Sequence, residues 1–187
     1  MKILLGYDGI IPDLIDRYGR MLLSKAVEKR YETVIEVLLD HSDITPDLPD
    51  HSNRTPLSWA AARGQEAVVG LLLTHGDVIA DTRDSYQRIH NIPHWWKDIS
   101  ERWSPERGED SLAVYFGSVP WTPLYWAASR GHETVVRRFL NCSDVEADFS
   151  DKIGHTPLSY ATEKEYAAVV ELLLACNDIE INKEDEY

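Results

Sequence analysis

The sequence has little cysteine and no long hydrophobic run. Its two cysteines, Cys142 and Cys176, lie 34 positions apart in a chain of 187 residues. A disulfide between them is one alternative, but we expect two reduced thiols in a cytoplasmic protein. No apolar stretch approaches the ~18 to 20 residues that a membrane-spanning helix needs, and the first apolar residues are too few for a signal peptide. We therefore expect a cytoplasmic protein without a membrane partner.

Positive charge is also scarce. The chain has 19 Lys and Arg against 32 Asp and Glu, which gives a formal net charge of -13. Binding to a phosphate backbone requires a cationic face, so we expect no nucleic-acid partner. The acidic surface is most simply a solvated one, and recognition of a basic partner is the alternative.

Sequence motifs of catalysis are missing. There is no phosphate-binding loop, no Gly-x-Ser-x-Gly and no Cys–His pair in a recognisable context. His90 and His94 are four residues apart, but Pro93 between them spoils a helical zinc pair and no third ligand is placed. We expect no catalytic residue, no metal and no cofactor, and we favour a protein that is not an enzyme while leaving that question open.

What the chain does contain is a repeat. The heptapeptide TPLSWAA at Thr55 recurs as TPLYWAA at Thr122, and TPLSYA follows at Thr156. Thr122 and Thr156 are 34 residues apart, and the same step back from Thr55 reaches Met21, where the Leu, Ser and Ala of the pattern persist. Thr55 and Thr122 are 67 residues apart, about two periods, so one slot of the array is degenerate or interrupted.

Each unit predicts two helices and a finger. Thr-Pro is a helix start, because the hydroxyl can cap free amides and Pro suits the first turn. A glycine follows the short apolar helix, at Gly64 and Gly131, and is suited to ending it with a positive backbone angle. A second helix carries Val-Val and Leu-rich runs, as at 68–73, and an extended polar segment then leads to the next unit.

This order of residues resembles the ankyrin repeat. Residues 151–158 carry Asp-x-x-Gly-x-Thr-Pro-Leu, and Gly131-His132 precedes a Val-Val pair. The resemblance covers nearly the whole chain outside residues 89–120. It implies an all-α solenoid of stacked helix-turn-helix units with hairpin-like fingers, and a protein–protein interaction module. Arg30-Tyr31 and Glu165-Tyr166 replace Gly-His, so we expect these two helix–helix turns to differ in detail.

The period also predicts the organisation of the chain as one repeat domain over 1–187. Residues 89–120 break the register, since Pro93 and Pro105 would fall inside helices, where a proline costs about 3 kcal/mol. We favour an insertion at a finger tip over a decayed repeat, because loops tolerate such growth. Both ends stop within a unit, which favours a piece of a longer array over frayed ends. The expected divisions are a partial unit 1–15, units 16–49, 50–83, 84–150 with the insertion 89–120, and 151–184, and a partial start 185–187.

Aromatic and finger residues are the candidates for partner binding. Trp59, Trp126 and Tyr160 share one position of the first helix and are expected to form a column along the concave face, which in ankyrin-like arrays binds partners together with the finger tips. The alternative is that these rings simply pack between helices. The other candidates are Tyr125 beside the column, Arg20, Arg54, Trp121 and His155 in the fingers, and Trp95 and Trp96 in the insertion. A small-molecule or catalytic site formed by the insertion against the concave face is the competing hypothesis.

Overall fold

The described part of the chain consists of four helix pairs. A computed structural model describes residues 16, 19–42, 44–50, 54–83, 121–151 and 154–176. The first helix of each pair is called the inner helix here and the second the outer helix. The inner helices are α1 (Leu22–Glu28), α3 (Pro56–Ala62), α5 (Pro123–Ser129) and α7 (Pro157–Glu163). The outer helices are α2 (Glu32–Leu39), α4 (Glu66–Leu73), α6 (Glu133–Leu140) and α8 (Ala167–Leu174).

The predicted helix starts are confirmed. The hydroxyl of Thr55 accepts a hydrogen bond from the backbone N–H of Ser58 at 3.2 Å, and α5 begins in the same way at Thr122. Thr156 adds a capping box, in which Ser159 Oγ accepts a hydrogen bond from the backbone N–H of Thr156. At α1 the cap position is Met21, which offers no side-chain acceptor. The starts of α3, α5 and α7 are thus specified by the local sequence at each cap.

The turns between inner and outer helices share one backbone conformation. Gly64 and Gly131 have φ values of 63° and 72°, as their position after the inner helix predicts. Arg30 and Glu165 occupy the same place and also have positive φ values, 56° and 60°. The expectation that these two turns differ was therefore wrong for the backbone: the turn is retained, although a side chain there is strained.

Successive pairs stack into a solenoid. Each inner helix packs against the next inner helix, and each outer helix packs against the next outer one. Helices α3 and α5 are direct neighbours although residues 84–120 lie between them in the chain. The all-α solenoid predicted from the repeat is confirmed.

The core runs between the two helix layers. Inner helices contribute Leu57, Leu124 and small alanines, and the outer helices α4 and α6 contribute their Val-Val pairs with Leu72 and Phe139, all of them buried. Because the alanines are small, neighbouring inner helices approach closely and leave their opposite side for larger side chains. Within the described ranges, no helix is long and apolar enough to cross a membrane.

Candidate partner-binding face

A recurring aspartate shapes the finger before each of three inner helices. The backbone N–H of Asp50 donates to the carbonyl of Arg54 at 3.0 Å, and an Asp50 carboxylate oxygen accepts the N–H of Arg54 at 3.0 Å. The pairs Asp16 with Arg20 and Asp151 with His155 repeat both bonds. The aspartate thus closes a tight loop, and the residue four places later is held at its end.

The second oxygen of each aspartate reaches into the inner-helix layer. Asp50 Oδ2 accepts a hydrogen bond from the indole Nε1 of Trp59 at 3.0 Å. In the first unit Lys25, which stands where Trp59 stands in the second, reaches Asp16 at 3.1 Å. The hydroxyl of Tyr125 in the third unit donates to Asp151 Oδ2 of the fourth unit at 3.5 Å. The finger and the inner helix are therefore fixed to each other, which gives the side chains between them defined positions.

Arginines and tryptophans alternate across the second and third units. The guanidinium of Arg54 lies 4.9 Å from the ring centroid of Trp59 and 5.0 Å from that of Trp126, so it joins the two units. Arg63 lies 5.1 Å from Trp59, and Arg130 lies 5.2 Å from Trp126. We call the connected series of Arg63, Trp59, Arg54, Trp126 and Arg130 the arginine–tryptophan ladder. Contacts of this length are favourable cation–π interactions.

An aromatic cluster continues the ladder into the fourth unit. The ring of Trp121 meets that of Trp126 edge-on, with centroids 4.4 Å apart, and stacks on Tyr125 at 5.0 Å. Tyr160 lies 5.1 Å from Tyr125 and also 5.1 Å from His155. The predicted column of Trp59, Trp126 and Tyr160 therefore exists as a connected row, but its members are joined through Arg54 and Trp121.

Burial separates the residues of this row into two groups. Tyr125 is 0% exposed and Trp126 is 5% exposed, so both mainly support their neighbours. Burial also raises the pKa of the Tyr125 hydroxyl, with Tyr160 and Asp151 adding to the effect, and keeps it protonated. Partly exposed side chains cover this support: Arg54, Trp59, Arg63, Trp121, Arg130, His155 and Tyr160. A partner would meet these groups and not Tyr125.

Like charges crowd around Arg63. One guanidinium nitrogen of Arg63 donates to the backbone carbonyl of Glu28 at 2.9 Å, at the end of the preceding inner helix. Burial lowers the pKa of Arg63; the charge of Glu28 opposes this shift, whereas Arg130, Arg20 and Arg54 reinforce it. The arginine remains charged, because its ordinary pKa is far above neutrality.

Sequence reasoning did not select Arg63 and Arg130. Each follows the tryptophan of its unit by four residues, a spacing that places two side chains on the same helix face. The two arginines are also 67 residues apart, as Trp59 and Trp126 are. These two spacings together are the signal that could have found them.

Some predicted residues lie outside the described part of the chain. These are Trp95 and Trp96, with the rest of the predicted insertion 89–120 and the histidine pair at 90 and 94. In the part that is described, no group of three or more His, Cys, Asp or Glu side chains could hold a metal ion. Arg20 is described and pairs with Asp16 at 3.1 Å and with Glu28 at 3.0 Å.

Comparison with known proteins agrees with the repeat geometry. A family model described as ankyrin repeats (3 copies) matches residues 1–83 and 108–185. The unmatched stretch, 84–107, falls largely within the predicted insertion, whereas residues 108–120 are included in the match. No curated protein matches the chain in sequence. Ankyrin repeats in general serve as protein–protein interaction modules. With this match over most of its length and four stacked helix pairs in the described part, the chain belongs to the ankyrin-repeat family.

Proposed function

We propose that this chain binds a protein or peptide partner through its concave groove and finger tips, at the face that carries the arginine–tryptophan ladder. The observation that carries the proposal is the continuous row of side chains from successive units, running from Arg63 through Trp59, Arg54 and Trp126 to Arg130, in which all members but the buried Trp126 are partly exposed. Trp, Tyr and Arg are the residue types that contribute most to binding energy at protein interfaces.

Fixed positions support the same proposal. Trp59 is held through its indole nitrogen by Asp50, and Arg54 is held at its backbone by the same carboxylate. A binding surface that is already ordered loses less side-chain entropy when a partner binds. The stacked units extend this order along the array, because each unit packs on its neighbours.

Selection from a random-peptide display library on the intact chain tests the proposal. Selected peptides are then measured against Trp59→Ala and against Arg138→Ala as a matched control. Arg138 is exposed on the outer helix α6, where it pairs with Glu66 at 3.0 Å. Peptides that bind the groove should lose at least about tenfold in affinity with Trp59→Ala and be unaffected by Arg138→Ala.

Circular dichroism and urea unfolding establish that both variants are folded. If the selected peptides bind folded Trp59→Ala as tightly as the intact chain, the groove is not their site. If the library yields no binder at all, the proposal of a peptide-binding groove fails.

A further inference from the structure

We infer that the partner segment that binds this groove is acidic, with Asp or Glu carboxylates that pair with Arg54 and Arg63 of the ladder. This inference rests on the proposed function, since it names the chemistry of the partner at the same face. It differs from what the net charge of the whole chain indicates, because a chain with a net charge of -13 would be expected to favour a basic partner.

Three equivalent positions of each inner helix and its finger carry no acidic residue in any unit. These positions are the finger residue before the inner helix, the residue in the middle of that helix, and the residue at its C-terminal end. Among these twelve positions there are seven Lys or Arg and no Asp or Glu, although the chain has 32 acidic and 19 basic residues. The finger positions hold Arg20, Arg54, Trp121 and His155; the middle positions hold Lys25, Trp59, Trp126 and Tyr160; the helix ends hold Lys29, Arg63, Arg130 and Lys164.

Charge compensation within the array differs between units. In the first unit, Arg20 and Lys25 both pair with Asp16 at 3.1 Å. In the second unit, neither Arg54 nor Arg63 forms an ion pair with any carboxylate of the described residues. The charge of Glu28 does act on Arg63, but three neighbouring arginines act against it. Arg54 and Arg63 are therefore the arginines of the ladder that have no ion pair with a carboxylate in the described part of the chain.

The carboxylate of Asp50 is already engaged close to Arg54. It is buried, with Asp50 8% exposed, and it accepts the backbone N–H of Arg54 and the indole N–H of Trp59. Its role is to hold the finger, and the guanidinium of Arg54 extends away to lie between the two tryptophan rings.

Arginine that is stacked on aromatic rings is well suited to a carboxylate. Stacking uses the flat face of the guanidinium, and the N–H groups at its edge point outward in a fork that matches two carboxylate oxygens. Neighbouring rings also restrict the side chain, so little additional order is needed when an acidic residue binds. A basic peptide would bring like charges against Arg54 and Arg63, which disfavours its binding.

Fluorescence anisotropy with two labelled peptides tests the inference. Each has about twelve residues, which extend to roughly 40 Å and so cross four stacked helices. One peptide carries Glu at alternate positions among Gly and Ser, and the other carries Lys at the same positions. The Glu peptide should bind the intact chain with at least about tenfold higher affinity than the Lys peptide at about 150 mM salt, and more tightly still at lower salt.

Two double variants localise the binding. Arg54→Gln with Arg63→Gln removes two charges from the ladder, and Arg137→Gln with Arg138→Gln removes two from the outer helix α6, where both side chains are exposed. Affinity for the Glu peptide should fall at least about tenfold with the first pair and change less than about twofold with the second. The single variants Arg54→Gln and Arg63→Gln serve if the ladder pair does not fold.

The outcomes separate this inference from the proposed function. Equal binding of both peptides, or equal loss in both double variants, would overturn the acidic partner. Display-selected peptides that depend on Trp59 but contain no excess of Asp and Glu would also overturn it, while leaving the groove as the binding site. Selected peptides that are rich in Asp and Glu and depend on Arg54 would support both.

Discussion

The turn glycine of the third unit offers a sharp test of how the units are joined. Gly131 has a φ of 72°, and a Cβ built at this position would lie 2.9 Å from Cδ1 of Tyr166 in the next unit and 3.0 Å from two further ring atoms. Gly64 is placed in the same way, with the ring of His132 at 2.6 Å. In Gly131→Ala, the added methyl group would strain the left-handed backbone and would also clash with the ring of Tyr166 in the neighbouring unit.

The expected cost has two parts and one offset. A left-handed backbone with a side chain costs roughly 1 to 2 kcal/mol. Forcing a methyl against a packed ring costs about 1 to 3 kcal/mol more, and the reduced entropy of the unfolded chain returns roughly 0.4 to 1 kcal/mol. The net effect for Gly131→Ala is a loss of about 1 to 4.5 kcal/mol in the free energy of unfolding. Glu165, exposed with a φ of 60°, gives the reverse case: Glu165→Gly should stabilise by roughly 0.5 to 1 kcal/mol.

Urea unfolding followed by circular dichroism measures both changes, and a double-mutant cycle separates their causes. In a Tyr166→Ala background the ring is absent, so Gly131→Ala should cost only the backbone part, about 1 kcal/mol. If the cost is the same with and without the ring of Tyr166, the contact between units contributes nothing. If Glu165→Gly destabilises the protein, the assignment of backbone strain to this turn is wrong.

Three further predictions concern pH and capping. Burial, reinforced by Glu146, raises the pKa of Asp81 from 3.8 to about 6. The protonated carboxyl of Asp81 therefore contributes stability that is present below the unfolded pKa and is lost as the pH rises through about 6. In urea titrations, the free energy of unfolding of Asp81→Asn should be higher than that of the parent by about 1 kcal/mol at pH ~8, with solvent screening taken into account, and should differ little from it at pH ~3.5. Burial lowers the pKa of His132 below 6.5. The neutral ring therefore contributes stability that is present above pH ~6.5 and is lost on acidification, so His132→Gln should flatten the decline in the free energy of unfolding between pH ~7.5 and pH ~5.5. An unchanged decline in this variant would indicate that His132 acts through packing alone. Thr122→Val removes the acceptor that caps α5 and should cost about 1 kcal/mol, whereas Thr134→Val on the exposed side of α6 should cost clearly less; equal losses in thermal unfolding would argue against the cap.

The fold could be predicted because its signals are local and recur. A Thr-Pro helix start, a glycine after the inner helix and a Leu-rich outer helix each act within a few residues, and the 34-residue step places them in register. The turns at Arg30 and Glu165 escaped this logic. Their residues disfavour positive φ, but the packing of the two helices in each unit imposes the same turn and outweighs a strain of roughly 1 to 2 kcal/mol.

The arrangement of the proposed binding face was predicted only in part, because its contacts cross between units. That Trp59 and Trp126 share a position follows from the sequence, but the place of Arg54 between them depends on α3 and α5 being neighbours. The interpretation of residues 89–120 as an insertion and not as a decayed repeat stays a prediction. The burial of Tyr125 also depends on the next unit, whose Tyr160 packs against its ring.

Net charge describes a globular surface better than it describes a repeat array, because stacking turns each position of the unit into a row. The end of the inner helix holds Lys or Arg in all four units, and the first turn of the outer helix holds Glu in three of them, at Glu32, Glu66 and Glu133. Both placements stabilise the helices, because a positive side chain interacts favourably with the helix dipole at the C-terminus and a negative side chain does so at the N-terminus. A choice that stabilises every unit separately therefore also sorts charge into rows of opposite sign. A bound partner would therefore experience the charge of the row that it contacts and not the net charge of -13 of the whole chain.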